Sequence, residues 1–158
     1  MYTDLSVDDR AGELDIGGDV TLSGYEVVVV ASMIEKEALL DGDRGYIARV
    51  IYNRLAQGRP LQIDATACYE VEEVPCRLTT EVLEGDSPYN TRTEQGLPPT
   101  PIAVPSEASL EAALDPPEGA WDHYVLDVEA DDGSHVFTDD HEEFEEARQR
   151  CIEAGSCG

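Results

Sequence analysis

A nearly all-apolar segment that ends in two glutamates constrains the fold of this chain more than any other feature. Ser23 and Glu26 form a capping-box pattern, so a helix is predicted to begin there and to run to about Leu40. Because this helix is apolar on almost every side, it has to be buried. A carboxylate in a buried helix is costly unless it is paired or protonated. The segment therefore predicts an unusual environment for Glu35 and Glu37.

The two glutamates cannot both face one cleft, because residues two apart on a helix point about 200° from each other. Glu37 follows Val30 and Ile34 at helical spacing and shares their apolar stripe, where burial raises the pKa of a carboxyl group. Glu37 is therefore favoured as a general acid, and Glu35 is kept as the second candidate. The alternative for either residue is a surface carboxylate paired with Lys36 or with an arginine.

The rest of the pattern predicts a single α+β domain, because helices alternate with a few strands and no regular β-α-β unit occurs. Around the buried helix we expect several further helices and a small, largely antiparallel sheet that includes a C-terminal hairpin. Residues 1–20 are polar and are predicted to be a disordered tail outside the folded part at 21–158. Five prolines between residues 87 and 105 predict a stiff, irregular loop. Helices are predicted over about 43–57, 79–85, 107–114 and 139–154, a strand or extended segment over 61–69, and hairpin strands over 121–128 and 134–138.

The charge of the chain excludes two classes of partner. The sequence has 35 acidic residues against 10 basic ones, a formal net charge of −25 at pH 7. Binding to nucleic acid or to an anionic membrane needs clustered Lys and Arg, so neither is predicted. The longest apolar run, Val27 to Ile34, is far shorter than the ~18 residues that a membrane span requires. We interpret the charge as a solvated acidic surface.

The four cysteines form two near pairs in the sequence, Cys68 with Cys76 and Cys151 with Cys157. Neither spacing is the C-x-x-C of a zinc or redox motif. Two short-loop disulfides in an oxidising compartment fit this pattern, and so do four reduced, buried thiols. The three histidines lack H-E-x-x-H spacing, so no metal site is predicted.

Six segments support a family resemblance because they occur in one order between about residues 22 and 146. They are Ala31–Ala38, Val50–Gly58, Pro60–Thr66, Asp86–Thr91, Gly96–Ala103 and Gly133–Phe137. Together they resemble the endolytic murein transglycosylases, the YceG-like family. Departures from the pattern of that family lie around the proline-rich loop, at Arg92, Thr100, Val104 and Ser106.

The resemblance implies an activity that needs no cofactor and consumes no water. Members cut the β-1,4 bond between N-acetylmuramic acid and N-acetylglucosamine within a peptidoglycan strand and leave a 1,6-anhydromuramyl end. One glutamate suffices for this chemistry, first as acid and then as base. The catalytic glutamate of the family corresponds to Glu37, with Glu35 as the fallback.

The resemblance also implies residues that hold the glycan. Asn53 and Arg54 either support the site or fasten the second helix, and His135 lies either in the cleft or only at the start of a strand. The residues expected to position the glycan and to stabilise charge are Gln62, Asp64, Tyr89 and Asn90.

The setting of the family implies a bacterial envelope protein at the outer face of the cytoplasmic membrane. Members usually carry a membrane anchor and a LysM-like subdomain, so this chain is expected to be the catalytic domain alone, with no membrane contact of its own. Peptidoglycan strands are the expected substrate, and peptidoglycan synthases are the implied partners. Two alternatives stay open: a peptidoglycan-binding scaffold without turnover, and a hydrolytic glycosidase that uses a carboxylate pair such as Glu37 with Asp64.

Overall fold

The buried helix predicted from the sequence is the centre of the fold in the computed structural model, which describes residues 6–157. Helix α2 (Gly24–Glu37) begins with the full capping box: Ser23 Oγ accepts from the backbone N–H of Glu26, and the Glu26 carboxylate accepts from Ser23 N at 2.8 Å. The side chains of Val27, Val30, Ala31, Met33 and Ile34 are completely buried. The other elements are α1 (Val7–Glu13), a 3₁₀ turn (Asp41–Asp43), α3 (Arg44–Ala56), α4 (Asp64–Ala67), α5 (Thr80–Leu83), α6 (Glu107–Leu114), β1 (His123–Leu126), β2 (His135–Thr138) and α7 (His141–Glu153).

Helices α1, α3 and α6 pack around α2. Tyr52 on α3 is fully buried, and its hydroxyl donates to the carbonyl of Ala113 on α6 at 2.7 Å. The helix predicted over 107–114 is present as α6, and its cap is Ser106, whose Oγ accepts from the N–H of Ser109. These helices form the main core, and the hairpin covers one end of it. The α+β class predicted from the sequence is confirmed.

The N-terminal region differs from the predicted disordered tail. Residues 7–13 form α1, in which Val7 and Ala11 are buried against the core. Arg10 of this helix makes two hydrogen bonds of 2.8 and 2.9 Å to Glu111 on α6. The few apolar residues of this region, including Ile16, are buried, and the acidic composition of the segment does not predict this burial. Residues 1–5 of the predicted tail lie outside the described residues.

The segment predicted as extended over 61–69 also differs, because a single helical turn, α4, interrupts it. Thr66 Oγ1 donates to the carbonyl of Ile63 at 2.6 Å and lies 2.8 Å from Thr91 Oγ1. The backbone N–H of Ile63 donates to the same Thr91 hydroxyl at 3.0 Å. The buried contacts of Ile63 and Thr66 with Thr91, 28 and 25 positions later, stabilise the turn, and the local sequence pattern does not reveal them.

The C-terminal hairpin and final helix agree with the prediction. Strands β1 and β2 pair antiparallel with Tyr124 opposite Phe137, and α7 packs on both strands. The helix predicted from about residue 139 begins at His141, and its cap is Asp140, whose carboxylate accepts from the N–H groups of Glu142 and Glu143. Among the described residues, no helix combines the length and apolarity needed to cross a bilayer.

Both near pairs of cysteines are disulfide-bonded. The bond between Cys68 and Cys76 closes the loop after α4, and its Cα atoms are 5.9 Å apart. The bond between Cys151 and Cys157 ties the residues after α7 back to that helix, with Cα atoms 5.2 Å apart. Of the two alternatives left by the sequence, the structure therefore has the disulfides.

Candidate functional site

Glu37, the last residue of α2, faces a cleft of about 590 Å³. The central helices supply one wall of this cleft, the loops around α4 and α5 supply another, and the hairpin with α7 supplies the third. Since the main chain leaves its helix at Glu37, this side chain reaches the cleft while the preceding turns stay in the core. The other charged or strongly polar side chains that line the cleft are Arg54, Gln62, Asp64, Arg92, Tyr124, His135, Glu145 and Arg148.

The surroundings of Glu37 favour its protonated form. Burial, and to a smaller extent the negative charge of Asp64, raises the pKa of Glu37 to about 7. One contact opposes this shift: Tyr124 on β1 donates its hydroxyl hydrogen bond to Glu37 Oε1 at 3.0 Å. The same carboxyl raises the pKa of the Tyr124 phenol, whose own burial raises it most, so the phenol stays a donor. Glu37 can therefore both release and accept a proton near neutral pH.

Glu35, the second candidate, is in a different environment. Its Oε2 accepts from Ser106 N at 3.0 Å, Ser106 Oγ at 2.7 Å and Ser109 Oγ at 2.5 Å, and Arg44 Nη1 lies 3.3 Å away. These hydroxyl hydrogen bonds lower the pKa of Glu35 to about 2. A carboxyl group that is ionised throughout the neutral range cannot be a general acid there. Glu35 instead joins α2 to the start of α6.

Arg54 lines the cleft but is held by the protein on all three nitrogens. Its guanidinium donates to the carbonyls of Asp122 and Pro60 at 2.7 and 2.9 Å, and Nη2 lies 3.0 Å from His123 Nδ1. Arg54 Nη1 also donates a longer hydrogen bond, of 3.4 Å, to the side-chain oxygen of Gln62. Arg54 therefore fastens α3 to the start of the hairpin and also supports a cleft residue, so both alternatives given for it apply.

Gln62 and Asp64, two of the predicted glycan contacts, line the cleft together with Glu37. Gln62 is exposed, and its φ of 57° places it in the left-handed region, where the backbone is strained for a residue other than glycine. Asp64 accepts from Arg92 Nη1 at 2.7 Å. This ion pair partly neutralises the second carboxylate of the cleft.

The structure does not place the other two predicted contacts, Tyr89 and Asn90, in the cleft. Asn90 is 1% exposed, and its side-chain NH₂ donates to the carbonyls of Leu83 and Gly85 at the end of α5. Tyr89 packs against the core, and its hydroxyl pairs with Thr100 Oγ1 at 2.8 Å. Both residues organise the proline-rich loop, because their polar groups already have partners within the fold.

Two further site features come from elements far apart in the sequence. His135, which the sequence left undecided, lines the cleft and is oriented by Asp43, whose Oδ2 lies 2.9 Å from His135 Nδ1. Tyr124 was missed as a candidate. Its position on a hairpin strand was predictable, whereas its meeting with a residue 87 positions earlier requires the tertiary structure.

Asn53, the remaining candidate, fastens the second helix. Its side-chain NH₂ donates to the carbonyls of Gly119 and Trp121 at 3.0 and 2.7 Å. These bonds connect α3 to the segment before β1. The alternative in which Asn53 serves a structural role is therefore the one that matches its contacts.

Known proteins are similar to this chain in sequence and in fold. A sequence model of the YceG-like family matches residues 5–150. A protein of Bacillus subtilis (strain 168) named endolytic murein transglycosylase is 39% identical over 131 residues, which are 83% of this chain and 36% of that protein. A protein of the same name from Streptococcus pneumoniae serotype 2 is 31% identical over 115 residues, 68% of this chain and 20% of its own length.

A crystal structure of a YceG-like protein from Listeria monocytogenes has the same fold. It superimposes with a TM-score of 0.71 at 38% identity, over 79% of this chain and 39% of that one. The chain thus spans less than half the length of each of these proteins. The match of the family sequence model over nearly all of the chain shows that this protein belongs to the YceG-like family.

Proposed function

We propose that this domain is an endolytic lytic transglycosylase that cuts peptidoglycan glycan strands with Glu37 as its acid and base. The observation that carries the proposal is the Glu37 carboxyl group, which has a pKa raised to about 7 and is held by Tyr124 in an open cleft. The curated relatives that match the chain carry the name endolytic murein transglycosylase, which supports the same substrate. The proposal locates the protein in the bacterial cell envelope, where peptidoglycan lies.

The proposed reaction has two proton transfers and no water. The protonated Glu37 carboxyl donates to the oxygen of the β-1,4 bond, and the bond between that oxygen and the anomeric carbon of N-acetylmuramic acid breaks. The resulting carboxylate takes the proton of the 6-hydroxyl of the same sugar, whose oxygen bonds to the anomeric carbon. The products are a 1,6-anhydromuramyl end and a free 4-hydroxyl on N-acetylglucosamine. A pKa near 7 suits a group that has to work in both directions.

The neighbours of Glu37 have matching roles in this proposal. Tyr124 holds Oε1, so that the orientation of the carboxyl is fixed. Gln62 reaches into the cleft as a polar contact for the sugar. The Asp64 carboxylate stabilises the positive charge that develops at the anomeric carbon, and its ion pair with Arg92 keeps it in place. The proposed neighbours in the envelope are the peptidoglycan synthases that make the strands, and we assign no surface of this domain to them.

The products test the reaction directly. The domain is incubated with uncrosslinked peptidoglycan strands in water enriched in heavy oxygen, and the fragments are analysed by mass spectrometry. We expect anhydromuramyl ends that lack one water and carry no heavy oxygen. Reducing ends that carry heavy oxygen would contradict the lytic mechanism, and binding without any cleavage would identify a scaffold domain.

A hydrolytic glycosidase is the second candidate, and one observation favours it: Asp64 lines the same cleft as Glu37. A hydrolase needs this second carboxylate as nucleophile or as base for a water molecule. The ion pair of Asp64 with Arg92 favours the lytic reaction, because it engages one oxygen of the carboxylate. The heavy-oxygen experiment separates the two reactions.

Removing the Tyr124 hydroxyl should change the pH profile. Its hydrogen bond stabilises the ionised form of Glu37, so in Tyr124→Phe the pKa of Glu37 rises above about 7. The alkaline limb of kcat/KM, which reports loss of the protonated acid, should move up by about one pH unit, with about a tenfold lower kcat. An alkaline limb that stays in place or moves down would contradict this role of Tyr124. Tyr25→Phe, whose hydroxyl donates to the carbonyl of Pro99, is the matched control.

A further inference from the structure

Three of the ten basic side chains of this acidic chain line the cleft. The chain carries nine arginines and one lysine within a net charge of −25, and three of the arginines line the cleft that contains Glu37. They come from different parts of the fold: Arg54 from α3, Arg92 from the loop after α5, and Arg148 from α7. An anionic group would be repelled by most of the protein surface, whereas these arginines offset the carboxyl groups of Glu37, Asp64 and Glu145 in the cleft.

Two of these arginines have N–H groups to offer. Arg54 donates to protein atoms with all three nitrogens, so it has a structural task. Arg92 uses Nη1 on Asp64, and no acceptor among the described residues receives a hydrogen bond from its Nε or Nη2. Arg148 is half-exposed, and its one partner among the described residues is Glu145, three residues earlier on the same helix, at 3.5 Å. Exposed pairs of this kind contribute little, so a ligand can replace Glu145.

A carboxylate is the group that fits these donors. The planar guanidinium presents two parallel N–H groups at the spacing of the two carboxylate oxygens. The proposed substrate carries such a group close to the bond that breaks: the lactyl carboxylate where muramic acid has no stem, or the carboxylates of the stem peptide where one is joined to the lactyl group by an amide bond. Neutral N-acetylglucosamine has none. Two arginines that line the cleft from two of its walls can therefore tell the muramic acid side of the bond from the other sugar.

We propose that Arg92 and Arg148 form a subsite for a carboxylate of the substrate, borne by the muramic acid unit or by its stem peptide. This inference rests on the proposed function and deepens it, because it assigns the residues that orient the strand relative to Glu37. Arg148 is the cleaner probe of the two, since Arg92 also holds Asp64.

The test compares four soluble glycan fragments in calorimetric binding to the Glu37→Gln protein, with and without Arg148→Gln. One fragment keeps its stem peptides, and in a second fragment an amidase has removed them, which leaves the lactyl carboxylate. The other two are the same fragments with every carboxylate converted to a carboxamide. In the Glu37→Gln protein that retains Arg148, we expect conversion of the carboxylates to carboxamides to weaken binding about tenfold. In the protein that also carries Arg148→Gln, we expect the carboxylate and carboxamide fragments to bind equally, with the weaker affinity.

A matched control lies two residues along the same helix. Arg150 is not among the described residues that line the cleft, and it pairs with Glu129 at 3.6 Å, so Arg150→Gln removes the same charge without touching the subsite. It should keep the tenfold preference for carboxylates. A preference seen only with stem-bearing fragments would assign the carboxylate to the peptide, and one seen only after amidase treatment would assign it to the lactyl group.

The proposal is overturned if Arg148→Gln keeps the preference, or if the Arg148 protein binds carboxylates and carboxamides equally. These results are independent of turnover, because binding is measured in a variant without Glu37. Failure of the proposed function is recognised separately, as the absence of anhydromuramyl ends from the unaltered protein.

Discussion

Glu37→Gln is expected to abolish release of anhydromuramyl ends, with kcat at least about 10³-fold below that of the unaltered protein. The amide has the shape of the carboxyl group but can neither donate the first proton nor accept the second. Mass spectrometry of fragments from uncrosslinked strands measures the loss. A Glu37→Gln protein with full activity would remove the basis of the proposed function.

The stability of the same variant provides its control. The pKa of Glu37 is raised to about 7 in the folded protein, so ionisation costs stability as the pH rises from about 4.5 through 7. The amide has no such cost. We therefore expect the Glu37→Gln protein at pH 8 to have a thermal midpoint equal to or above that of the unaltered protein. A lowered midpoint would mean that lost activity reflects damage to the fold.

Glu35→Ala should have the opposite pattern, with a large loss of stability. The Glu35 carboxylate accepts three hydrogen bonds from Ser106 and Ser109, and Arg44 lies beside it. A pKa lowered from 4.5 to about 2 corresponds to about 2 kcal/mol, allowing for solvent screening of a side chain that is 28% exposed. We expect the free energy of unfolding to fall by about 2 kcal/mol and the thermal midpoint by about 4 to 8 °C.

The pH dependence of this loss identifies its cause. Because the folded-state pKa of Glu35 is depressed, its contribution is complete above pH 4.5 and disappears as the pH falls through about 2. The difference between the unaltered protein and Glu35→Ala, measured by denaturant unfolding, should therefore shrink as the solution is acidified from pH 5. Glu146→Gln, which removes an exposed negative charge from α7, should leave stability nearly unchanged at every pH. A difference that stays constant down to pH 2 would contradict the role of the charge.

Local patterns in the sequence predict the elements of this fold well where a side chain acts on its own helix. The capping box at Ser23 and the caps at Thr79 and Ser106 mark helix starts, because each hydroxyl accepts the N–H of the residue three positions later. The pattern is misleading where the stabilising partner is distant. Helix α1 is stabilised by burial against α2 and by the pairing of Arg10 with Glu111, neither of which local composition reports.

The same distinction between local and distant contacts applies to the residues of the candidate site. The apolar stripe on α2 predicts that Glu37 and Glu35 lie in different environments, and the structure gives them pKa values of about 7 and about 2. Asn90 could not be placed from sequence, since an Asn in a loop has the same pattern whether it faces a ligand or closes a helix end. The positions of Tyr124 and Arg148 in the cleft depend on how the hairpin and α7 pack against the preceding helices, and no periodicity in the sequence predicts this packing.

The contact between Glu37 and Tyr124 joins residues 87 positions apart, and this separation has a consequence during biosynthesis. While the ribosome has made only the first half of the chain, Glu37 is an ordinary solvated glutamate with a pKa near 4.3. It gains its acid character only when the hairpin docks and excludes water from the end of α2. Until the hairpin docks, the nascent chain therefore lacks the raised pKa of Glu37 on which the proposed cleavage depends.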